Sequence, residues 1–242
     1  KHNAFDDVLI AALTSALVDL ERDERVRLLV LAAEGPSFSA GAELGWMKRA
    51  GAAQEAENLA DARKLAELMR TLDAFSKPTV AAVQGPAYGG GVGLVACCDV
   101  AIAATTARFS LSEVRLGLIP SAIGPYVVRA IGPRQARRWF QTAEAFDAET
   151  ARAIGLVHET VEPEALDRRA GETVAALLKG APGACREAKR LVGDIASSPI
   201  DAAMIEMTAV RIARIRTGDE AKEGLEAFLA RRPADWTLGG AR

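Results

Sequence analysis

Between Pro78 and Cys98 the chain carries no charged side chain, yet five glycines and two prolines interrupt it. A segment this apolar has to be buried, in lipid or in a protein core. A spanning helix needs about 20 consecutive apolar residues of bulky type, and the small, broken pattern here argues against one. The segment reads as a buried strand over 79–83, a loop, and a short buried helix opened by Gly89-Gly90-Gly91. A second apolar run over 26–33 ends the same way, in the small-residue loop Phe38-Ser39-Ala40-Gly41-Ala42-Glu43. Two buried strands that each deliver the chain to a glycine-bearing loop predict an α/β layered fold.

Helical patterns flank these strands. Phe5, Val8, Leu9, Ala12, Leu13, Ala16 and Leu17 form one stripe over 5–20, and a longer helix is expected over 54–75, stopped by Pro78. Short strands are expected at 100–103, 108–111 and 156–160. From Gly124 the pattern is mainly helical, over 125–131, 133–142, 147–154, 163–179, 182–195, 200–216 and 219–230. The small-residue stretch Gly180-Ala181-Pro182-Gly183 reads as a hinge. It divides the chain into a core domain over 1–180 and a helical module over 181–242. No internal repeat of fixed period is visible.

With 242 residues, half of them hydrophobic, the chain can build a sizeable core without metal or disulfide staples. Its formal net charge of -2 gives no general attraction for nucleic acid. Local clusters at Arg134, Arg137 and Arg138, and at Arg211, Arg214 and Arg216, read as solvated helix faces. Cys97, Cys98 and Cys185 form no CxxC pair, and their odd number suits a reducing, cytoplasmic setting. Only His2 and His158 could serve a nucleophilic cysteine, so buried structural thiols are the better reading of Cys97 and Cys98. No metal site and no membrane role are expected.

Loops at the carboxyl ends of parallel strands are where α/β proteins hold ligands. Small residues there let a ligand approach main-chain N–H groups, and a helix start favours negative charge. The phosphate patterns GxxxxGK[ST] and GxGxxG are both unmet, and no lysine follows the glycine cluster. Two readings stay open: glycines for close helix–strand packing, or donors for a developing oxyanion. Glu113 stands out in Ser110-Leu111-Ser112-Glu113-Val114-Arg115-Leu116-Gly117-Leu118-Ile119-Pro120 as a carboxylate in an apolar stretch. Desolvation there would raise its pKa and suit it to acid–base work. An ion pair with Arg115, or a helix-start carboxylate, is the alternative.

Taken in order, these segments resemble the crotonase superfamily of enoyl-CoA hydratases and isomerases. Lys1-His2-Asn3-Ala4-Phe5 is similar to the family's RPxxxNAL element, Phe38 to Glu43 to FxAGAD, and Lys77 to Gly85 to KPxIAAVxG. Gly89 to Leu94 resembles GGGxEL, Glu113 to Pro120 resembles PExxLGxxP, and Glu223 to Leu229 resembles EGxxAFxE. The resemblance implies a spiral of ββα units with a C-terminal helical module, and strands ahead of Lys1 that this sequence lacks. It implies an oxyanion hole from the N–H groups of Ala42 and Gly90. A bent coenzyme A thioester would lie along Ala40, Ala42, Glu43, Leu44, Gly89 and Gly91, with Glu113 as acid and base. Coenzyme A enters as part of the substrate, so no separate cofactor is implied. A homotrimer or dimer of trimers is the implied assembly.

One position departs from the pattern. Two-glutamate hydratases carry a carboxylate at the fifth place of GGGxE, and Gly93 stands there. The leading reading is still a hydratase that adds water across the 2,3 double bond of an acyl-CoA, with Glu113 alone or with another group substituting for the missing carboxylate. An isomerase that shifts a double bond with Glu113 is the alternative. A catalytically idle binding member of the same fold is the rival that the intact loops and Glu113 speak against. Segments around Leu44, Gly93 and Glu113 look like a bacterial subgroup assigned to 3-methylglutaconyl-CoA hydration, with a carboxylated isoprenoid acyl-CoA hydratase as sister. Such substrates carry a remote carboxylate, for which Lys48, Arg49 and Arg115 are the candidate cations.

Overall fold

The structure, a computed structural model, describes residues 2–238. Lys1, the first residue of the opening element, lies outside the described residues, as do residues 239–242 of the terminal module. Helix α1 (Asp7–Arg22) starts where Asp6 accepts the Leu9 N–H at 2.8 Å, and buries Ile10 and Leu17. Strand β1 (Leu29–Leu31) leads through the small-residue loop into α2 (Leu44–Ala52) and α3 (Glu55–Asp73). Then come β2 (Thr79–Val83), β3 (Ala87–Tyr88), α4 (Gly90–Cys97), β4 (Val100–Ala104) and β5 (Arg108–Ser110). A 3-10 turn over Glu113–Leu116 precedes α5 (Gly124–Thr142), which breaks at Gly132, φ +75°, just before Pro133. The chain continues through β6 (Phe146–Asp147), α6 (Ala148–Ala153), β7 (Glu159–Val161) and α7 (Leu166–Leu178). Helices α8 (Pro182–Ala196), α9 (Ala202–Arg216), α10 (Asp219–Leu229) and α11 (Asp235–Leu238) complete it.

Four strands form a parallel sheet in the order β1-β2-β4-β7, with Leu31 beside Ala81, Val83 beside Ala103 and Ala104 beside Val161. Every residue of β2 is buried, as a central parallel strand covered on both faces requires. A smaller sheet runs β3-β5-β6, with β3 parallel and β6 antiparallel to β5. Ser39 extends it by a parallel bridge to Ala87, and Ala42 bridges Phe5 beyond. Each turn of the chain therefore places one strand in the large sheet, one segment in the small sheet, and then a helix. This is the expected ββα spiral. The sequence shows no period because the linkers differ: residues 32–38 in the first turn, 84–86 in the second, 105–107 in the third.

Several elements differ from the sequence reading. Helix α2 was not expected; Glu43, an uncommon capping residue, accepts the Trp46 N–H at 2.7 Å and starts it. Strand β1 is shorter than 26–33 because Val26 is held in a turn, its N–H on Asp23 O at 3.1 Å. The last strand begins at Glu159, since Leu156 and Val157 turn back onto Ala151 O at 2.9 and 3.3 Å. Both histidines are taken up structurally. His158 Nδ1 accepts the Ala101 N–H at 3.0 Å, and His2 Nδ1 lies 3.1 Å from Ser37 Oγ.

Compact packing divides the chain into two units. One runs through Phe75 and resumes over Thr79–Gly171; the other comprises Ser76–Pro78 and the chain from Glu172 onward. The division falls within α7, whereas the sequence reading put the hinge at 180–183, between α7 and α8. In the first unit, Phe5, Phe75, Phe109, Leu68 and Met69 are the largest apolar side chains fully enclosed. In the second, Glu220 accepts the N–H groups of Gly183 at 2.8 Å and Ala184 at 3.0 Å, capping α8. Glu223 grips Arg232 through both oxygens, at 2.6 and 2.7 Å, and this pairing holds its pKa down at about 2. The arginine clusters include surface ion pairs: Arg138 with Glu144, Arg211 with Asp194, Arg214 with Glu187. Among the described residues no helix is long and apolar enough to cross a membrane.

Gly41 adopts φ +85°, and a methyl group on it would lie 3.3 Å from the Tyr88 carbonyl oxygen. Gly41→Ala is expected to lower stability by about 1–3 kcal/mol, read as an earlier urea midpoint at unchanged m value. Gly51→Ala, on α2 with nothing within 4 Å, should instead gain about 0.5 kcal/mol.

Candidate active site

The site is assembled from main chain before any side chain takes part. Ser39 donates its N–H to Pro86 O at 3.0 Å, and its own carbonyl accepts the Tyr88 N–H at 2.9 Å. Gly89 then donates to Ser110 O at 2.9 Å. Three segments are thereby laid side by side: residues 39–42, residues 87–89, and the end of β5. Ser39 Oγ adds a clamp, donating to Asn3 O at 2.8 Å and accepting the Gly41 N–H at 3.3 Å.

This ladder fixes which donors stay open. Phe5 donates to Gly41 O at 2.7 Å and accepts the Glu43 N–H at 2.8 Å. A parallel strand that bonds both neighbours of a residue leaves that residue's own N–H on the opposite edge, and the residue here is Ala42. Its N–H has no partner among the described residues. Gly90 is the first residue of α4, so its N–H is also one that the helix leaves unbonded. Neither of the two expected oxyanion donors has a partner for its N–H among the described residues. Gly89, at φ +50°, turns the chain into α4.

Glu113 reaches the same place from the third segment. A methyl group on Gly89 would lie 3.1 Å from Glu113 Oε1 and 3.9 Å from Gly41 Cα, so both glycine loops and the carboxyl group meet there. The 3-10 turn holds Glu113 by Leu118 N–H to Glu113 O at 3.0 Å, closed by left-handed Gly117. Its Oε2 is buried without a hydrogen-bond partner among the described residues. Burial pushes the carboxyl pKa above the ordinary range, offset in part by a main-chain hydrogen bond of its own residue. Among the described residues Arg115 makes no ion pair with it and is exposed. The ion-pair alternative therefore gives way to a desolvated carboxyl group.

The glycine cluster also serves close packing. Methyl groups on Gly90 and Gly91 would lie 2.8 Å from the Phe5 ring and 2.9 Å from Ser39 Cβ. The packing reading of the cluster therefore holds, and the N–H that α4 leaves unbonded at Gly90 is compatible with the donor reading beside it. At Gly93 a methyl group would lie 2.8 Å from Ile123 Cβ and 3.1 Å from Met69 Sδ. The place of the second glutamate is not an open gap; apolar side chains fill it.

The remaining expected site residues are distributed unevenly. Ala40, Ala42 and Leu44 are exposed, Leu44 at 80%, and Gly89 is half-buried. Gly91 is buried against Ser39. The Glu43 carboxylate caps α2, and the N–H groups of Gly45 and Trp46 hold its pKa below the usual range. Lys48 is exposed, while Arg49 pairs with Asp7 at 3.1 Å. Sequence reasoning missed Ile123 and Met69, which are far from the glycine cluster along the chain and carry no motif.

Over residues 1–239 the chain matches the family model described as enoyl-CoA hydratase/isomerase. The crotonyl-CoA hydratase of Syntrophomonas wolfei is 35% identical, across 97% of this chain and 89% of that protein. Among solved structures, an enoyl-CoA hydratase from Shewanella pealeana is 45% identical with a TM-score of 0.94, covering 98% of this chain and 88% of that one. Pseudomonas aeruginosa AtuE is 36% identical with a TM-score of 0.91, covering 97% and 91%.

A carboxyl group whose pKa rises on folding contributes stability that is full below its unfolded value and is lost as pH climbs from there through the raised folded value. Glu113→Gln should therefore be more resistant to urea than the parent at neutral pH. The difference should narrow as pH falls through the raised folded value and be closed below about 4.5. Parallel denaturation curves across that range check the sign.

Proposed function

The chain belongs to the enoyl-CoA hydratase/isomerase family of the crotonase superfamily, and we propose that it adds water across the 2,3 double bond of an acyl-CoA. The observation that carries this reading is the Glu113 carboxyl group beside Gly89, its Oε2 buried without a partner, together with two main-chain donors that have no partner among the described residues. In the reaction the thioester oxygen accepts hydrogen bonds from Ala42 and Gly90. Ionised Glu113 takes a proton from water as its oxygen bonds to C3, and the π electrons move through C2 onto the thioester oxygen. The enolate collapses, and protonated Glu113 returns its proton to C2. Preorganised donors act on the enolate more than on the ground state, and each is worth about 3 kcal/mol. Coenzyme A is part of the substrate in this scheme, and neither a metal nor a further cofactor is invoked.

A substrate with a branched or carboxylated acyl group, of the 3-methylglutaconyl type, suits the cations near α2 and the 3-10 turn. Lys48 and Arg115 are the available ones, since Arg49 is held by Asp7. The second reading is an enoyl-CoA isomerase using Glu113 alone. The apolar filling at Gly93 favours it, because one carboxylate suffices to carry a proton between carbons. Exposed Val192, Ile200, Ile205, Val210, Leu225 and Phe228 on and between the terminal helices support a homotrimer or dimer of trimers built through the 181–242 module. An odd number of cysteines with no CxxC pair supports a cytoplasmic setting, and the net charge of -2 gives no support for a nucleic-acid partner.

Glu113→Gln should cut crotonyl-CoA hydration by about 100-fold or more, measured as loss of enoyl absorbance. Residual activity above about a tenth of the parent rate would remove Glu113 from the mechanism. Gain of enoyl absorbance from a 3-enoyl-CoA, faster than hydration, would select the isomerase. Lys48→Ala or Arg115→Ala should raise KM for a carboxylated enoyl-CoA about tenfold relative to crotonyl-CoA. An equal change for both substrates would assign these residues no part in recognition.

A further inference from the structure

The neighbours of Gly93 extend the reading of Glu113 as acid and base, on which this inference rests. Gly89 and Gly93 stand one turn apart on the start of α4, joined by the Gly93 N–H to Gly89 O at 3.3 Å. Against Gly89 lies Glu113; against Gly93 lies Ile123, with Met69 beside it. Helix α5, which Ile123 precedes, packs on both α4 and the 3-10 turn that carries Glu113. Ile123 is itself fixed: it is 2% exposed, and its carbonyl accepts the N–H groups of Tyr126 and Val127 at 3.1 Å. We infer that Ile123 is a positioning residue for Glu113, seated in the room a side chain at 93 would need and walling that flank of the site with methyl groups where a second acid could have stood.

Two consequences follow from the chemistry of the wall. A carboxylate at 93 has no space while Ile123 is present, so proton work falls to one group. Water is also kept off that flank, which makes Ile123 a contributor to the desolvation of Glu113. No charge accounts for the state of Glu113 instead. The titratable and charged groups on the nearby elements are Glu43 after the first loop, Glu67, Arg70 and Asp73 on α3, Tyr88 on β3, Cys97 on α4, Arg108 on β5, Arg115 on the turn, and Tyr126 and Arg129 at the start of α5. The shift of Glu113 is attributed to burial, with no contribution from any of these, and Arg129 is paired with Asp73.

The test uses the full chain with four substitutions and reads kcat/KM for crotonyl-CoA against pH, with a melting curve for each protein. Ile123→Ala should move the Glu113 ionisation limb to lower pH by about half a unit or more, while Ile123→Val leaves it near the parent position. Gly93→Glu should lower the melting temperature and lose about tenfold or more in kcat/KM. Combining Gly93→Glu with Ile123→Ala should recover part of both. A folded Ile123→Ala protein with an unmoved limb overturns the inference. So does a Gly93→Glu protein that keeps the parent rate and melting temperature. Should Ile123→Ala fail to fold alone, the Gly93→Glu pair decides: no recovery in the double variant overturns it. Glu113→Gln separates the two layers. An active Glu113→Gln protein refutes the acid–base reading, whereas an inactive one with an unmoved Ile123→Ala limb refutes only the role of Ile123.

Discussion

Two hydrogen bonds hold this site in register: Tyr88 N–H to Ser39 O and Gly89 N–H to Ser110 O, each 2.9 Å. They lie between segments that belong to three successive turns of the spiral. Without them the two glycine loops and the 3-10 turn would be three separate surface connections. With them, the loops that carry Ala42 and Gly90 meet the Glu113 carboxyl group at Gly89, although 71 positions separate Ala42 from Glu113. The small sheet can stay short because β1, β2 and β4 of the large sheet already fix where each connection begins. Close approach of the segments then dictates glycine at 41 and 89, where φ is positive and neighbouring atoms crowd the Cβ position.

One physical condition serves both halves of the chemistry. Removing water strengthens a main-chain donor toward a developing oxyanion, because nothing else competes for it or screens it. The same loss of water disfavours ionised Glu113 and raises its pKa above the ordinary carboxylate range, the direction the proposed acid–base role needs. The donors cost no side-chain ordering, since α4 and the Phe5 bridge already orient them. Apolar filling at Gly93 by Ile123 and Met69 belongs to this condition. A second carboxylate there would bring its own charge and hydration into the flank that the fold keeps dry.

The parts of this account that were legible in the sequence are those written in local residue type. Glycine at 41, 89 and 90 marks backbone that must approach closely, and a lone glutamate in an apolar stretch marks a desolvation candidate. Resemblance placed them in one family and ordered them. Contacts between distant segments were not legible. Nothing in the residues around Ile123 announces that its side chain meets Gly93, and nothing near Phe5 announces that its ring covers Gly90. Helix α2 escaped notice because its cap is Glu43, a residue type that caps seldom and that the loop motif had already claimed. The ββα recurrence was hidden by unequal linkers, although each strand was readable alone.

The central claim is that two main-chain donors polarise a single thioester carbonyl. The most direct measurement is the infrared difference spectrum of an enoyl-CoA labelled with carbon-13 at that carbonyl, bound to the protein with Glu113→Gln so that turnover is suppressed. A carbonyl stretch displaced to lower wavenumber than in water is the predicted result, because two fixed donors weaken the C=O bond more than solvent does. A stretch at or above its aqueous position, with the ligand demonstrably bound, would contradict the account.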